Sequence, residues 1–96
     1  MSRVLIVTGG SRGLGAATCI GAAEQGYEAI CVNYVGNKAR ADQVVAACEA
    51  AGAKAIAVQA DITKEADINR MFETVDKELG TVTHLVNSAG IVGPYA

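Results

Sequence analysis

Arg3-Val4-Leu5-Ile6-Val7-Thr8-Gly9-Gly10-Ser11-Arg12-Gly13-Leu14-Gly15 is an apolar run that passes without a linker into a glycine turn and then into a helical pattern. Arg3 to Val7 reads as a strand, and its unbroken Val/Leu/Ile character suggests burial on both faces. Where such a strand becomes a helix, the backbone N–H groups of the turn and the positive end of the helix dipole converge on one spot, which makes an anion site. Gly9 permits the tight turn off the strand, Gly13 lets a pyrophosphate approach the backbone with no Cβ in the way, and Gly15 allows the helix to lie close to the sheet. No Lys-Ser or Lys-Thr follows the glycines, so the loop is not the phosphate loop of nucleotide hydrolases.

Outward from this turn, strand and helix patterns alternate with short connections, as in βαβ units with a parallel sheet. Ala29 to Val32, Ala55 to Val58 and His84 to Asn87 read as further strands. Three helical patterns lie between the strands, ending at Gly26, Gly52 and Gly80, which can take the left-handed conformation that stops a helix. The first helix is expected to turn Leu14, Ala17, Thr18, Gly21 and Ala22 inward. The second presents Ala41, Val44, Val45, Cys48 and Ala51, and the third Ile68, Met71, Phe72, Val75 and Leu79 at i, i+3, i+4, i+7 spacing. Thr63 is the expected N-cap of the third helix, with Glu65 placing a negative charge in its first turn. Right-handed crossovers then set the strand order 3-2-1-4, an α/β, Rossmann-type doubly wound parallel sheet, with a ligand crevice at the reversal between strands 1 and 4. Residues 1–96 make one domain in this reading.

Composition narrows the function. With 51% hydrophobic residues, 19% charged residues and a net charge of -2, there is no basic stripe for nucleic acid or anionic lipid. The apolar run at the start is too short for a membrane span or signal peptide, so the protein is expected in the cytoplasm. Cys19, Cys31 and Cys48 are odd in number and form no Cys-x-x-Cys pair, which suggests buried thiols rather than a disulfide framework or a zinc site.

The glycine spacing is Thr-Gly-x-x-x-Gly-x-Gly, Asp61-Ile62 follows the third strand, and Asn87-Ser88-Ala89-Gly90 ends the fourth. In this order, from Arg3 to about Gly93, the motifs resemble those of the short-chain dehydrogenase/reductase family, whose pattern at the last site is Asn-Asn-Ala-Gly, so Ser88 departs from it. The resemblance implies that Gly9, Ser11, Arg12, Gly13, Leu14 and Gly15 surround the dinucleotide phosphates. It implies too that Asp61, with Ile62 beside it, meets the adenine amino group, and that Asn87, Ala89 and Gly90 line the nicotinamide-side ribose. It further implies a small hydroxy or keto substrate, in the manner of the 3-oxoacyl-reductase or glucose-1-dehydrogenase branch, and a homo-oligomer, dimer or tetramer, in the full-length form.

Sites that prefer NAD(H) place an acid at the end of the second strand. Here Asn33 and Tyr34 follow Cys31-Val32. A carboxylate about 4 Å from a phosphate would cost roughly 4 kcal/mol per unit charge at an effective dielectric of 20, so its absence favours a 2'-phosphate. Arg12 can fork onto that phosphate, Asn33 can donate through its amide, Lys38 or Arg40 can reach it, and Tyr34 can flank the adenine or start the next turn. The expected cofactor is therefore NADP(H) rather than NAD(H). Neither Tyr27, Tyr34 nor Tyr95 is assigned the role of the family's catalytic Tyr-x-x-x-Lys, and lone His84 is read as structural. The chain is thus expected to be the amino-terminal, cofactor-binding portion of a longer NADP(H)-dependent oxidoreductase, inactive by itself. A non-catalytic NADP(H)-binding module is the alternative.

Overall fold

The computed structural model describes residues 3–9 and 13–87. Seven elements follow one another: β1 (Val4–Thr8), α1 (Gly13–Glu24), β2 (Ala29–Tyr34), α2 (Lys38–Ala50), β3 (Lys54–Gln59), α3 (Glu65–Glu78) and β4 (His84–Asn87). The four strands form one parallel sheet in the order β3-β2-β1-β4, as the alternation predicts. Because all are parallel, their carboxyl ends lie along one edge, and the order reverses between β1 and β4.

Every residue of β1 and β2 is buried, and alternation divides their side chains between two cores. Leu5, Val7, Ile30, Val32 and Tyr34 pack with Cys19, Ala41, Val44 and Cys48 on the α1 and α2 side. Val4, Ile6, Ala29 and Cys31 pack with Met71 and Val75 of α3 on the other. Helices on both faces explain why these strands carry continuous apolar runs. The strands also extend past the apolar runs: β2 reaches Tyr34 and β3 spans Lys54 to Gln59, because the parallel ladder continues to the pair Tyr34↔Gln59. The first strand begins at Val4 rather than Arg3 and includes Thr8, opposite Asn87.

Gly26, Gly52 and Gly80 have φ of 96°, 101° and 110°, as helix-stopping glycines should. Behind two of them the chain closes a six-residue ring, Tyr27 N–H to the Ala22 carbonyl (3.0 Å) and Ala53 N–H to the Cys48 carbonyl (3.1 Å), which satisfies carbonyls the helix leaves open. Asn37 starts α2, its Oδ1 accepting from Arg40 N–H at 3.0 Å.

The helices depart from expectation in their faces and in one cap. The inward face of α1 is Gly15, Cys19 and Ala23, while Leu14 is 82% exposed and Ala17 is exposed as well. Rotation by one residue brings the two smallest side chains of an i, i+4, i+8 row against the sheet, with one thiol between them. Thr63 does not cap α3: Lys64 holds the cap position without a side-chain bond, because the Thr63 hydroxyl and N–H are both taken by Asp61. On the other helices Ala51 lies outside the buried stripe of α2, and Phe72 is partly exposed beside buried Met71 and Val75.

Candidate functional site

The carboxyl edge of the sheet gathers most of the residues singled out above. Gly9 leaves β1 with φ 65° and Gly13 opens α1 with φ 60°, both in the region that favours glycine. No described heavy atom lies within 4 Å of the place a Cβ on Gly13 would occupy. The amino end of α1, where N–H groups lack helical partners, thus begins at a residue whose side-chain position is open among the described residues. Register brings Thr8 beside Asn87 across the β1–β4 pair, and the Thr8 hydroxyl leans on the Val86 carbonyl at 3.4 Å. Ser11, Arg12, Ala89, Gly90 and the side chain of Asn87 lie outside the described residues.

Asn33 has a different task from the one expected. It is 1% exposed; its Nδ2 donates to the carbonyls of Val58 (3.3 Å) and Ala60 (3.1 Å), and its Oδ1 accepts from Gly9 N–H (3.1 Å). Both amide hydrogens are spent inside the protein, so neither reaches a cofactor phosphate. Tyr34 is also turned inward, 9% exposed in the α1–α2 core, rather than laid open for an adenine ring.

Asp61 follows β3 on the same edge and is half-buried, as is Ile62. Its Oδ1 accepts from the Thr63 hydroxyl (2.6 Å) and Thr63 N–H (3.0 Å). The hydroxyl first, then the backbone N–H, hold its carboxyl below the usual range, against a small opposing effect of desolvation. Asp61 therefore presents an ionised carboxylate whose Oδ2 has no hydrogen-bond partner among the described residues. Its own N–H donates to Asp67 Oδ2 at 2.9 Å, with Arg70 3.8 Å from that oxygen. Asp67 is a support that the sequence marks only by a carboxylate in the first turn of α3.

Tyr34 and Lys38 do stand four apart, as Tyr34-Val35-Gly36-Asn37-Lys38, so spacing alone does not dismiss them as a catalytic pair. The structure does. The Tyr34 ring is in the core, whereas the Lys38 side chain is 71% exposed and bonded to Asp42 at 2.8 Å, an ion pair that raises its pKa. Lys38 and Arg40 both lie on the exposed first turn of α2. His84 sits at the start of β4, edge-on to the Tyr27 ring with centroids 5.4 Å apart and 2.9 Å from the Thr83 hydroxyl, with Arg3 stacked 4.4 Å from the same ring. This cluster is at the opposite end of the strands from the glycine turn. A groove of about 370 Å³ between α1 and β4 has Tyr27 and His84 in its wall, together with Thr18, Gly21, Ala22 and Leu85.

The family model described as short chain dehydrogenase matches residues 3–96. A 3-oxoacyl-(acyl-carrier-protein) reductase FabG of Staphylococcus epidermidis is 40% identical over 91 residues, which is 95% of this chain and 37% of that protein. An uncharacterized oxidoreductase of Methylorubrum extorquens is 44% identical over 89 residues, 93% of this chain and 36% of that protein. In solved structures, a Burkholderia cenocepacia protein assigned as a dehydrogenase, with bound NADP, superposes at TM-score 0.86 with 30% identity, over 90% of this chain and 33% of that one. The chain thus spans little more than a third of the length of the curated relatives it matches.

Proposed function

This chain belongs to the short-chain dehydrogenase/reductase family, and from that premise we propose that it binds NADP(H) at the carboxyl edge of its sheet, as the cofactor portion of an oxidoreductase acting on a small hydroxy or keto compound. The glycine turn carries the proposal: Gly9 and Gly13 are both left-handed, the Cβ position of Gly13 meets no described atom, and Gly13 opens α1, whose amino end suits a pyrophosphate. When bound, the nicotinamide supplies or accepts hydride. The chain's own residues bind and orient. The backbone from Gly9 to Gly15, with Ser11 and Leu14, cradles the phosphates; the free Oδ2 of Asp61 accepts from the adenine amino group beside Ile62; and Asn87, Ala89 and Gly90 line the nicotinamide-side ribose. The 82% exposure of Leu14 suits a side chain that covers a bound ligand.

Arg12 is assigned the 2'-phosphate and hence the preference for NADP(H) over NAD(H), a reading supported by a relative solved with NADP. A partly exposed ion pair of this kind is worth about 1 kcal/mol, or roughly fivefold in affinity. The substrate is drawn from the reductases among the relatives, acting in a homo-oligomer, and the protein is placed in the cytoplasm. No described helix is long and apolar enough to cross a membrane. Titration of wild type and Arg12→Ala with NADP⁺ and NAD⁺ tests the assignment. The variant should lose NADP⁺ affinity selectively; an unchanged NADP⁺/NAD⁺ ratio refutes Arg12 as the selector, and no binding of either nucleotide by wild type refutes the function.

A further inference from the structure

Asn33 joins three parts of the chain that are far apart in sequence. Gly9 can only donate through its N–H, while Val58 and Ala60 can only accept through their carbonyls, so the network itself dictates which end of the amide is oxygen. An amide offers two donors and an acceptor, and here both donors and the acceptor are used at 1% exposure. From Ala60 the chain passes directly to Asp61, whose own N–H is held by Asp67. One buried side chain therefore ties the first peptide of the glycine turn to the backbone that presents Asp61.

We infer that Asn33 is a positioning residue that sets the glycine turn against the Asp61 side of the site, and that its clasp excludes an acid from the position where dinucleotide sites select NAD(H). This rests on the nucleotide function proposed above. An aspartate at residue 33 keeps the bond from Gly9, but its second oxygen replaces Nδ2 and faces two carbonyl oxygens in a site closed to water. Such a carboxylate lacks compensation and neutralises instead. Protonated, it restores one donor to one carbonyl. Ionised, it repels both and frees the turn. Asn33→Asp is therefore not a switch toward NAD(H) but a pH-dependent loosening of the whole site.

The test combines a variant with a measurement on the unaltered protein. In Asn33→Asp the buried carboxyl has a pKa raised above that of the unfolded chain. Its folding equilibrium constant should therefore fall, relative to wild type, as pH rises from about 5 to about 8, by up to tenfold per pH unit until the folded pKa is passed. By calorimetry, NADP⁺ and NAD⁺ should both bind the variant at least about fivefold more weakly than wild type at the upper pH, and the deficit should shrink on acidification. A gain in NAD⁺ affinity with unchanged stability overturns the inference. Should the variant fail to fold, hydrogen exchange on ligand-free wild type decides. The clasp requires Gly9 N–H to be protected like the amides of β1, and exchange at the rate of an open loop overturns it. Wild type that binds neither nucleotide sinks the functional proposal, while the Gly9 protection still decides the clasp.

Discussion

Gly13 offers a perturbation whose effects on folding and on binding can be separated. Its φ of 60° costs an L residue roughly 1–2 kcal/mol, and since a Cβ there meets no described heavy atom within 4 Å, no packing penalty adds to it. Gly13→Ala should therefore lower the unfolding free energy of the ligand-free protein by about 1–2 kcal/mol. In the proposed site the same methyl would lie under the pyrophosphate of a bound dinucleotide, and crowding of this kind costs about 1–3 kcal/mol, equivalent to roughly 5- to 150-fold in affinity. Gly52 supplies the control: its φ is 101° and its Cβ position is also open, but it ends α2 at the opposite edge of the sheet. Gly52→Ala should lose comparable stability, of order 1–3 kcal/mol, and bind NADP⁺ as wild type does. Urea unfolding without ligand and calorimetric titration with NADP⁺ give the two quantities. Equal NADP⁺ affinity in the two variants refutes the cradle at Gly13.

Two further outcomes concern protonation. Because the folded pKa of Asp61 is depressed by the Thr63 hydroxyl and N–H, its stabilising contribution is present above the unfolded carboxyl pKa and is lost as pH falls through the lower folded value. Thr63→Val should move the Asp61 titration, followed by NMR, upward toward the ordinary range, and an unmoved titration contradicts the assigned cause. Burial pushes the thiols of Cys19 and Cys31 up to about 12 and that of Cys48 to about 11. Their contribution to stability is then whole below the unfolded value of 9.0 and is lost as pH rises through the folded values. A thiol reagent at about pH 8 should label all three only at the rate of protein opening; fast labelling of any one in the folded protein disproves its burial.

Much of the fold is legible along the chain because it depends on local rules. Val4 to Val7 and Ala29 to Val32 carry the continuous apolar character of strands covered on both faces, and Gly26, Gly52 and Gly80 stand where only glycine is at ease, so strand, helix and stop are each written within a few residues of one another. The glycine spacing of the first turn is equally local, which is why Gly9 reads as a tight-turn position, whereas the left-handed φ of Gly13, a residue read only as a place of close approach, is seen in the fold. The face of α1 was harder. Its side chains are nearly all small, so the hydrophobic contrast that orients α3 through Met71 and Val75 is absent, and only contact with the sheet chose Gly15, Cys19 and Ala23.

The sequence by itself determined the alternation, the parallel order and the place of the glycine turn, since these follow from periodicity, handedness and backbone freedom. Tertiary structure alone decided what Asn33, Tyr34 and Thr63 do. Asn33 read as an amide donor to a 2'-phosphate until β1 and β3 brought Gly9, Val58 and Ala60 to it from 24 to 27 residues away. Tyr34 read as a flank for an adenine or the start of a turn until strand alternation set its ring in the core. Thr63 resembled a helix cap until Asp61 took its hydroxyl. A polar side chain is spent on whichever partner the fold delivers first, and that partner need not be near it in sequence.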